Sequence, residues 1–263
     1  MDMQLKDKTA LVTRSTAGIG LEIARKLAVE GAKVIVAGRS RKKLDEAVAS
    51  IKASGGKSVS GVLADAGAAE GAAALIKAAG PVDILVNNLG IYEPKSFTDI
   101  TDQDWLTLFE TNVLSGVRLS RALMPAMLEK NWGRIIFISS ESAISTPTEM
   151  IHYGTTKTAQ LAISRGLAQM AKGTGVTVNA VMPGPTRSEG IVEFLRGVSN
   201  NPSATDAEIE AEFFVRGRPS SLLQRLLEAE EVANMVTYVA SPLSSGTNGA
   251  ALRVEGGIIS TIA

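Results

Sequence analysis

Ala10-Leu11-Val12-Thr13-Arg14-Ser15-Thr16-Ala17-Gly18-Ile19-Gly20 decides how this chain folds. A β-rich apolar run ends at Thr13, and a glycine-punctuated turn leads into 18–30, where apolar residues recur at helical spacing. A strand that enters a helix through such a turn aims backbone N–H groups and the positive end of the helix dipole at one point, which suits a pyrophosphate. Gly18 and Gly20 allow close backbone approach and close helix packing. Thr13, Arg14, Ser15, Gly18, Ile19 and Gly20 are therefore candidate cofactor contacts.

The same rhythm repeats outward from this stretch. Strand-like runs at 9–13, 33–38, 59–65, 83–88, 133–140, 176–182 and 251–254 alternate with helical stretches at 18–30, 40–54, 68–79, 101–130, 150–172 and 229–240. Most of the strand runs are apolar through their middles, as a parallel sheet covered on both faces requires. The expectation is an α/β fold: one doubly wound Rossmann-type domain over 1–263, with a parallel seven-stranded sheet, helices on both faces and right-handed crossovers. Residues 186–227 break the rhythm with Pro202, Pro219, several glycines and a charged, helix-prone stretch at 206–212. This insertion follows the carboxyl end of a strand, where ligands bind in open α/β sheets, and it reads as a substrate lid.

Composition narrows the function. Lys+Arg and Asp+Glu both total 27, so no basic field marks a nucleic-acid or anionic-membrane surface. The absence of Cys excludes disulfides and thiolate metal sites, and a single histidine, His152, sets aside a histidine metal site or a Ser-His triad. No apolar run approaches the ~20 residues of a membrane span. Met1-Asp2-Met3-Gln4-Leu5-Lys6-Asp7-Lys8 is polar rather than signal-like, which reads as a cytoplasmic protein.

The chemistry is concentrated later in the chain. Tyr153 and Lys157, four residues apart, share one helix face. A cation near a phenol lowers its pKa from about 10, so that it can exchange a proton with a carbonyl or alcohol oxygen near neutral pH. Ser140, at the end of the 133–140 run, is placed to hydrogen-bond the same oxygen. The second strand ends Val36-Ala37-Gly38-Arg39. A carboxylate at its end would bind ribose hydroxyls and repel a 2′-phosphate, whereas Gly38 carries none. Arg39 supplies a guanidinium that can clamp phosphate, which favours NADP(H) over NAD(H).

With these pieces in order, nearly the whole chain resembles the short-chain dehydrogenases/reductases. The glycine motif matches Thr13 to Gly20 except at Arg14, and Asn87-Asn88-Leu89-Gly90 is similar to the family's Asn-Asn-Ala-Gly. Asn112, Ser140, Tyr153 and Lys157 match the catalytic positions, Asp65 the acid at the adenine, and Asn179-Ala180-Val181-Met182-Pro183-Gly184 the segment beside the nicotinamide. Arg253-Val254-Glu255-Gly256-Gly257 is similar to the C-terminal Val-Asp-Gly-Gly strand, with a structural role expected for Glu255. The resemblance implies hydride transfer between nicotinamide and a ketone or secondary alcohol. Tyr153 would be acid and base, Ser140 would polarise the oxygen, and Lys157 would lower the tyrosine pKa and hold the ribose. Asn112 would help hold a relay water. Asn88, Gly90, Tyr153, Lys157, Pro183, Gly184 and Thr186 join the expected cofactor contacts. The family also implies a homotetramer, and helices 101–130 and 150–172 carry apolar residues on more than one face, among them Leu106, Phe109, Val113, Leu161, Leu167 and Met170. The resemblance takes in the 3-oxoacyl-carrier-protein reductases, although no basic patch for an acidic carrier is evident.

Arg14 is the largest departure, and two readings stand. It points toward the 2′-phosphate beside Arg39, or it crowds the turn and weakens binding; in the extreme the fold serves as a non-enzymatic binding or regulatory subunit. Leu89 reads as a packing variation near Ala17. His152, Glu141 and Glu149 are weaker substrate-pocket candidates, the two carboxylates for a cationic or hydroxylated substrate. Ile191, Phe194, Leu195, Phe213 and Phe214 either line the pocket or pack the insertion onto the body.

Overall fold

The computed structural model describes residues 2–262, apart from the side chains at 189 and 198; of the expected 1–263 domain, Met1 and Ala263 lie outside the described residues. The strands are β1 (Thr9–Val12), β2 (Lys33–Gly38), β3 (Val59–Leu63), β4 (Ile84–Asn87), β5 (Gly133–Ile138), β6 (Val176–Pro183) and β7 (Ala251–Val254). They form one seven-stranded parallel sheet in the order β3-β2-β1-β4-β5-β6-β7, as expected for the doubly wound class. The chain reverses its direction of sheet growth between β1 and β4, so the crevice for a ligand opens at their carboxyl ends.

Period-two side chains build two cores from the same strands. Ala10, Val12, Val34 and Val86 face α1 (Gly18–Val29) and α9 (Ala229–Ala240), meeting Ile23, Leu27, Val232 and Val236. Leu11, Leu85, Ile135 and Phe137 face the other way, onto Leu119, Leu123 and Met127 of α5 (Ser115–Glu129). The remaining main helices are α2 (Arg41–Ala53), α3 (Ala69–Ala79), α4 (Asp102–Phe109), α6 (Ile151–Met170), α7 (Glu189–Val198) and α8 (Asp206–Arg216).

Three differences from the sequence reading matter for the site. The helix expected over 101–130 is two helices, because Glu110–Leu114 winds as a π-type turn that carries Asn112. Such turns hold an extra residue and release a backbone carbonyl, and they recur at functional sites. Several strands stop short of the expected ends, leaving Asp65, Asn88 and Ser140 just beyond the carboxyl edge. The 186–227 insertion has its own small core, Leu195, Ile209, Phe214 and Leu226, with Ile191, Phe194 and Phe213 packed against it. Arg187 fastens this segment by ion pairs to Glu210 (2.8 Å) and Glu228 (2.9 Å).

Glu255 is structural: its buried carboxylate accepts from the N–H of Ile258 and of Ile259 (3.2 Å) and from Arg253 Nε (2.8 Å). Among the described residues no helix is long and apolar enough to cross a membrane.

Candidate active site

The turn after β1 is held by its own side chains. Thr13 Oγ1 donates to Val86 O (3.3 Å) and accepts from the N–H groups of Asn88 (2.9 Å) and Leu89 (3.0 Å). Asn88 Nδ2 donates back to the carbonyls of Thr13 (3.0 Å) and Arg14 (3.1 Å). Ser15 Oγ donates to Val12 O (2.6 Å) and accepts from Ala37 N–H (3.0 Å). Both hydroxyls are fully buried and tie the turn to β4 and β2. At Gly20 a Cβ would run into the Arg14 carbonyl and Asn88 Nδ2, so only glycine lets α1 start this close. Ala17 gives α1 no side-chain cap, so its first N–H groups are left to a ligand or solvent.

Arg14 has φ +47°, in the left-handed region, where a side chain costs roughly 1–2 kcal/mol. Its guanidinium Nη1 donates to the carbonyl of Gly90, past the end of β4. The guanidinium thus turns toward the Gly90 carbonyl rather than toward Arg39. Arg39 lies instead 3.6 Å from Asp65 Oδ2, in solvent. A Cβ at Gly38 would stand 2.5 Å from Thr16 Cγ2, so an acidic side chain there would have to displace Thr16. Leu89 packs against the core that holds Leu85, Ile135 and Phe137.

At the reacting end, α6 presents Tyr153 and Lys157, the segment after β5 presents Ser140, and the π-type turn presents Asn112. Lys157 Nζ lies 5.6 Å from the Tyr153 ring centre and donates to Ile138 O (2.9 Å) and Gln160 Oε1 (3.3 Å). Asn112 Oδ1 accepts from Ile91 N–H (2.7 Å), while its Nδ2 donates to Ile91 O (2.9 Å) and Thr156 Oγ1 (3.0 Å). The backbone carbonyl of Asn112 accepts from Gln160 Nε2 (2.6 Å). Buried Gln160 thus bridges lysine and π-turn.

The Tyr153 pKa is raised rather than lowered, against the expectation. Desolvation first, then the Glu141 carboxylate and Tyr92, push the phenol above its ordinary value, outweighing a hydrogen bond with Ser140 and the Arg14 charge. Burial, then Arg14, lower the Lys157 ammonium to about 7 against a smaller upward pull from Glu141. Much of the lysine charge is therefore lost near neutral pH.

The other candidates fall as follows. Pro183 ends β6. Gly184 donates its N–H to Val254 O (2.9 Å), and Thr186 Oγ1 donates to Gly184 O (2.9 Å). His152 is fully buried against Trp105, with ring centres 5.9 Å apart, and burial lowers its pKa. Glu149 borders a cavity of about 390 Å³ between 145–149 and 216–220. Glu141 is buried and accepts from Ser140 Oγ.

Three residues escaped the sequence reading. Tyr92 packs edge-on to both Tyr153 and Phe194 of α7, each at 6.1 Å, and its only signal is an aromatic just past the β4 turn. Gln160 stands three positions after Lys157, on the same helix face, a readable spacing. Arg218 reaches Glu141 across 77 positions, which no local pattern announces.

Comparison with known proteins agrees with this geometry. Residues 8–196 match the family model described as short chain dehydrogenase. The chain is 49% identical over 263 residues, covering 100% of both proteins, to the uncharacterized oxidoreductase YvaG of Bacillus subtilis (strain 168). It is 34% identical to the 3-oxoacyl-[acyl-carrier-protein] reductase FabG of Escherichia coli (strain K12), covering 97% of this chain and 99% of that one. Among solved structures, L-sorbose reductase from Gluconobacter frateurii, complexed with NADPH and L-sorbose, superposes with a TM-score of 0.93 at 29% identity over 100% of both chains.

Proposed function

We propose that this chain, which belongs to the short-chain dehydrogenase family and is an oxidoreductase of that family, uses NADP(H) to interconvert a small ketone and its secondary alcohol. The observation that carries this reading is the convergence of Asn112, Ser140, Tyr153 and Lys157 on the carboxyl edge beside the glycine turn. The residues fit a dinucleotide, since the side chain that would fill the cradle is absent at Gly20 and α1 begins uncapped. Gly18, Ile19 and Gly20 would face the pyrophosphate, Arg39 and Asp65 the adenosine, and Gly90, Pro183, Gly184 and Thr186 the nicotinamide end. The preference for the 2′-phosphate rests on Arg39 and on the lack of an acid at Gly38. The NADPH complex of L-sorbose reductase supports it.

A nicotinamide bound here would supply or accept the hydride, and the protein manages the proton. Tyr153 gives its phenolic proton to the substrate oxygen in reduction and takes it back in oxidation. Desolvation holds that phenol in its protonated form in the free protein. Ser140 hydrogen-bonds the same oxygen. The 186–227 segment acts as the lid, with Phe194 and Tyr92 leading from it to Tyr153. Leu106, Phe109 and Met170 are exposed on α4 and α6 and supply contact faces for a homotetramer. We place the protein in the cytoplasm.

A second reading rests on Arg14, whose guanidinium spans from the cradle to Gly90. If it blocks the dinucleotide, the chain is a binding or regulatory subunit. NADPH consumption over a panel of ketones and ketoesters separates the two. Tyr153→Phe is expected to lose about 10²–10⁴-fold in kcat while keeping its NADPH affinity. Equal turnover by wild type and Tyr153→Phe overturns the catalytic assignment, and no NADPH binding favours the second reading.

A further inference from the structure

We infer that Glu141 and Arg218 are positioning residues for Ser140, and that the α7–α8 segment, through Arg218, governs where Ser140 directs its proton. The inference rests on the catalytic reading of Ser140 and Tyr153 given above.

A serine hydroxyl has one proton and two lone pairs. At Ser140 the proton goes to Glu141 Oε2 (2.5 Å), and the oxygen accepts from Ser142 N–H (3.1 Å), which leaves one lone pair free. Held this way, Ser140 can accept from a substrate alcohol. To donate to a substrate carbonyl it must release Glu141. A hydrogen bond to a carboxylate is roughly twice as strong as a neutral one, so this competition bears on the reaction.

The other carboxylate oxygen belongs to the lid. Glu141 Oε1 lies 3.3 Å from Arg218 Nε, and the two side chains are only 5% and 11% exposed. Arg218 is fixed to the end of α8: its N–H donates to Phe213 O (3.1 Å), its Nη1 to Gly217 O (2.7 Å), and its guanidinium lies 5.5 Å from the Phe213 ring centre. A shift of α8 therefore moves Arg218 relative to Glu141. With the arginine seated, the carboxylate's charge is shared and its hold on Ser140 weakens. With the arginine withdrawn, Glu141 keeps the proton and its full charge faces the phenol. The charged and titratable groups around that phenol are Glu141, Arg14, Tyr92 and Lys157. Among them Glu141 is the one that Arg218 neutralises.

The test needs neither substrate nor cofactor. The chain has three tyrosines, so the ionisation of Tyr153 can be read from tyrosinate absorbance after a rapid pH jump, with Tyr153→Phe as the subtraction. Glu141→Gln is expected to bring Tyr153 ionisation to lower pH than in wild type. Arg218→Met is expected to ionise Tyr153 at higher pH than wild type and to have no effect in the Glu141→Gln background; Arg218→Lys restores the wild-type curve. An unchanged curve in Glu141→Gln, or an unchanged or earlier ionisation in Arg218→Met, overturns the inference. Circular dichroism checks each fold, and if Glu141→Gln does not fold, the Arg218→Met and Arg218→Lys pair decides alone. In turnover, Arg218→Met should lower kcat on the order of tenfold, with Arg218→Lys recovering most of it. Wild-type turnover by Tyr153→Phe removes the catalytic reading itself. An unmoved tyrosine in Glu141→Gln, with Tyr153→Phe inactive, removes only this inference.

Discussion

Arg39 and Asp65 meet across 3.6 Å of solvent beyond β2 and β3, with side chains 74% and 48% exposed, whereas Lys157 and Asn112 lie buried between β5, α6 and the π-type turn. Charges in water interact weakly and are screened by salt, so this end, proposed to meet the adenosine, can be retuned at little cost to the fold. The reacting end is different: Lys157, Gln160, Asn112 and Ile91 hold one another by hydrogen bonds of 2.6–3.3 Å, and a change to one leaves a buried partner unsatisfied. Arg14 belongs to both ends, rooted in the dinucleotide turn and felt electrically by Tyr92, Tyr153 and Lys157. On the proposed roles, recognition would sit where substitution is cheap, and proton handling where it is not.

The comparison breaks most visibly at Lys157. Lys157→Met should lower kcat by about 10²–10³-fold. It should also change how stability varies with pH. The folded amine titrates at about 7 against an ordinary 10.5. Below that window both states hold the proton and the buried charge is fully felt. Within it the unfolded chain binds the extra proton, so stability rises with pH. Denaturant midpoints on either side of the window should show this rise in wild type and its loss in Lys157→Met.

Arg39→Ala should weaken NADPH about tenfold or more and leave NADH little changed, with no shift in melting temperature. Equal losses for both cofactors would place the 2′-phosphate elsewhere.

Arg14→Gly tests whether the two ends are coupled. Relief of the positive φ, less the added freedom of the unfolded chain, should raise stability by about 0.5–1 kcal/mol in a denaturant titration. NADPH affinity should hold or improve, and the stability rise assigned to Lys157 should start at higher pH, because a charge that lowers its pKa has gone. A large loss of NADPH affinity would show that Arg14 contacts the cofactor rather than crowding it.

The alternation of apolar runs and helical stretches was enough to locate every strand of the sheet, because a parallel sheet buried on both faces leaves so strong a hydrophobic trace. The π-type turn left no such trace: apolar residues continue through Glu110–Leu114 as they would in a plain helix, and only family spacing singled out Asn112. Arg39 and Asp65 were both named, but their contact depends on the pairing of Gly38 with Leu63 across two strands. The same limit hid Arg218, which meets Glu141 only once α8 has packed. The direction of the Tyr153 shift was misjudged for a related reason: spacing shows which charges are near a phenol, whereas desolvation, here the larger effect, depends on everything packed around it.

Titration of the purified protein with NADPH and with NADH, followed by nicotinamide fluorescence, bears most directly on the claim that this is an NADP(H)-dependent oxidoreductase. NADPH should bind about tenfold or more tightly than NADH, as a guanidinium at Arg39 with no acid at Gly38 requires. Binding of neither would contradict the account and turn attention to Arg14 as the obstruction.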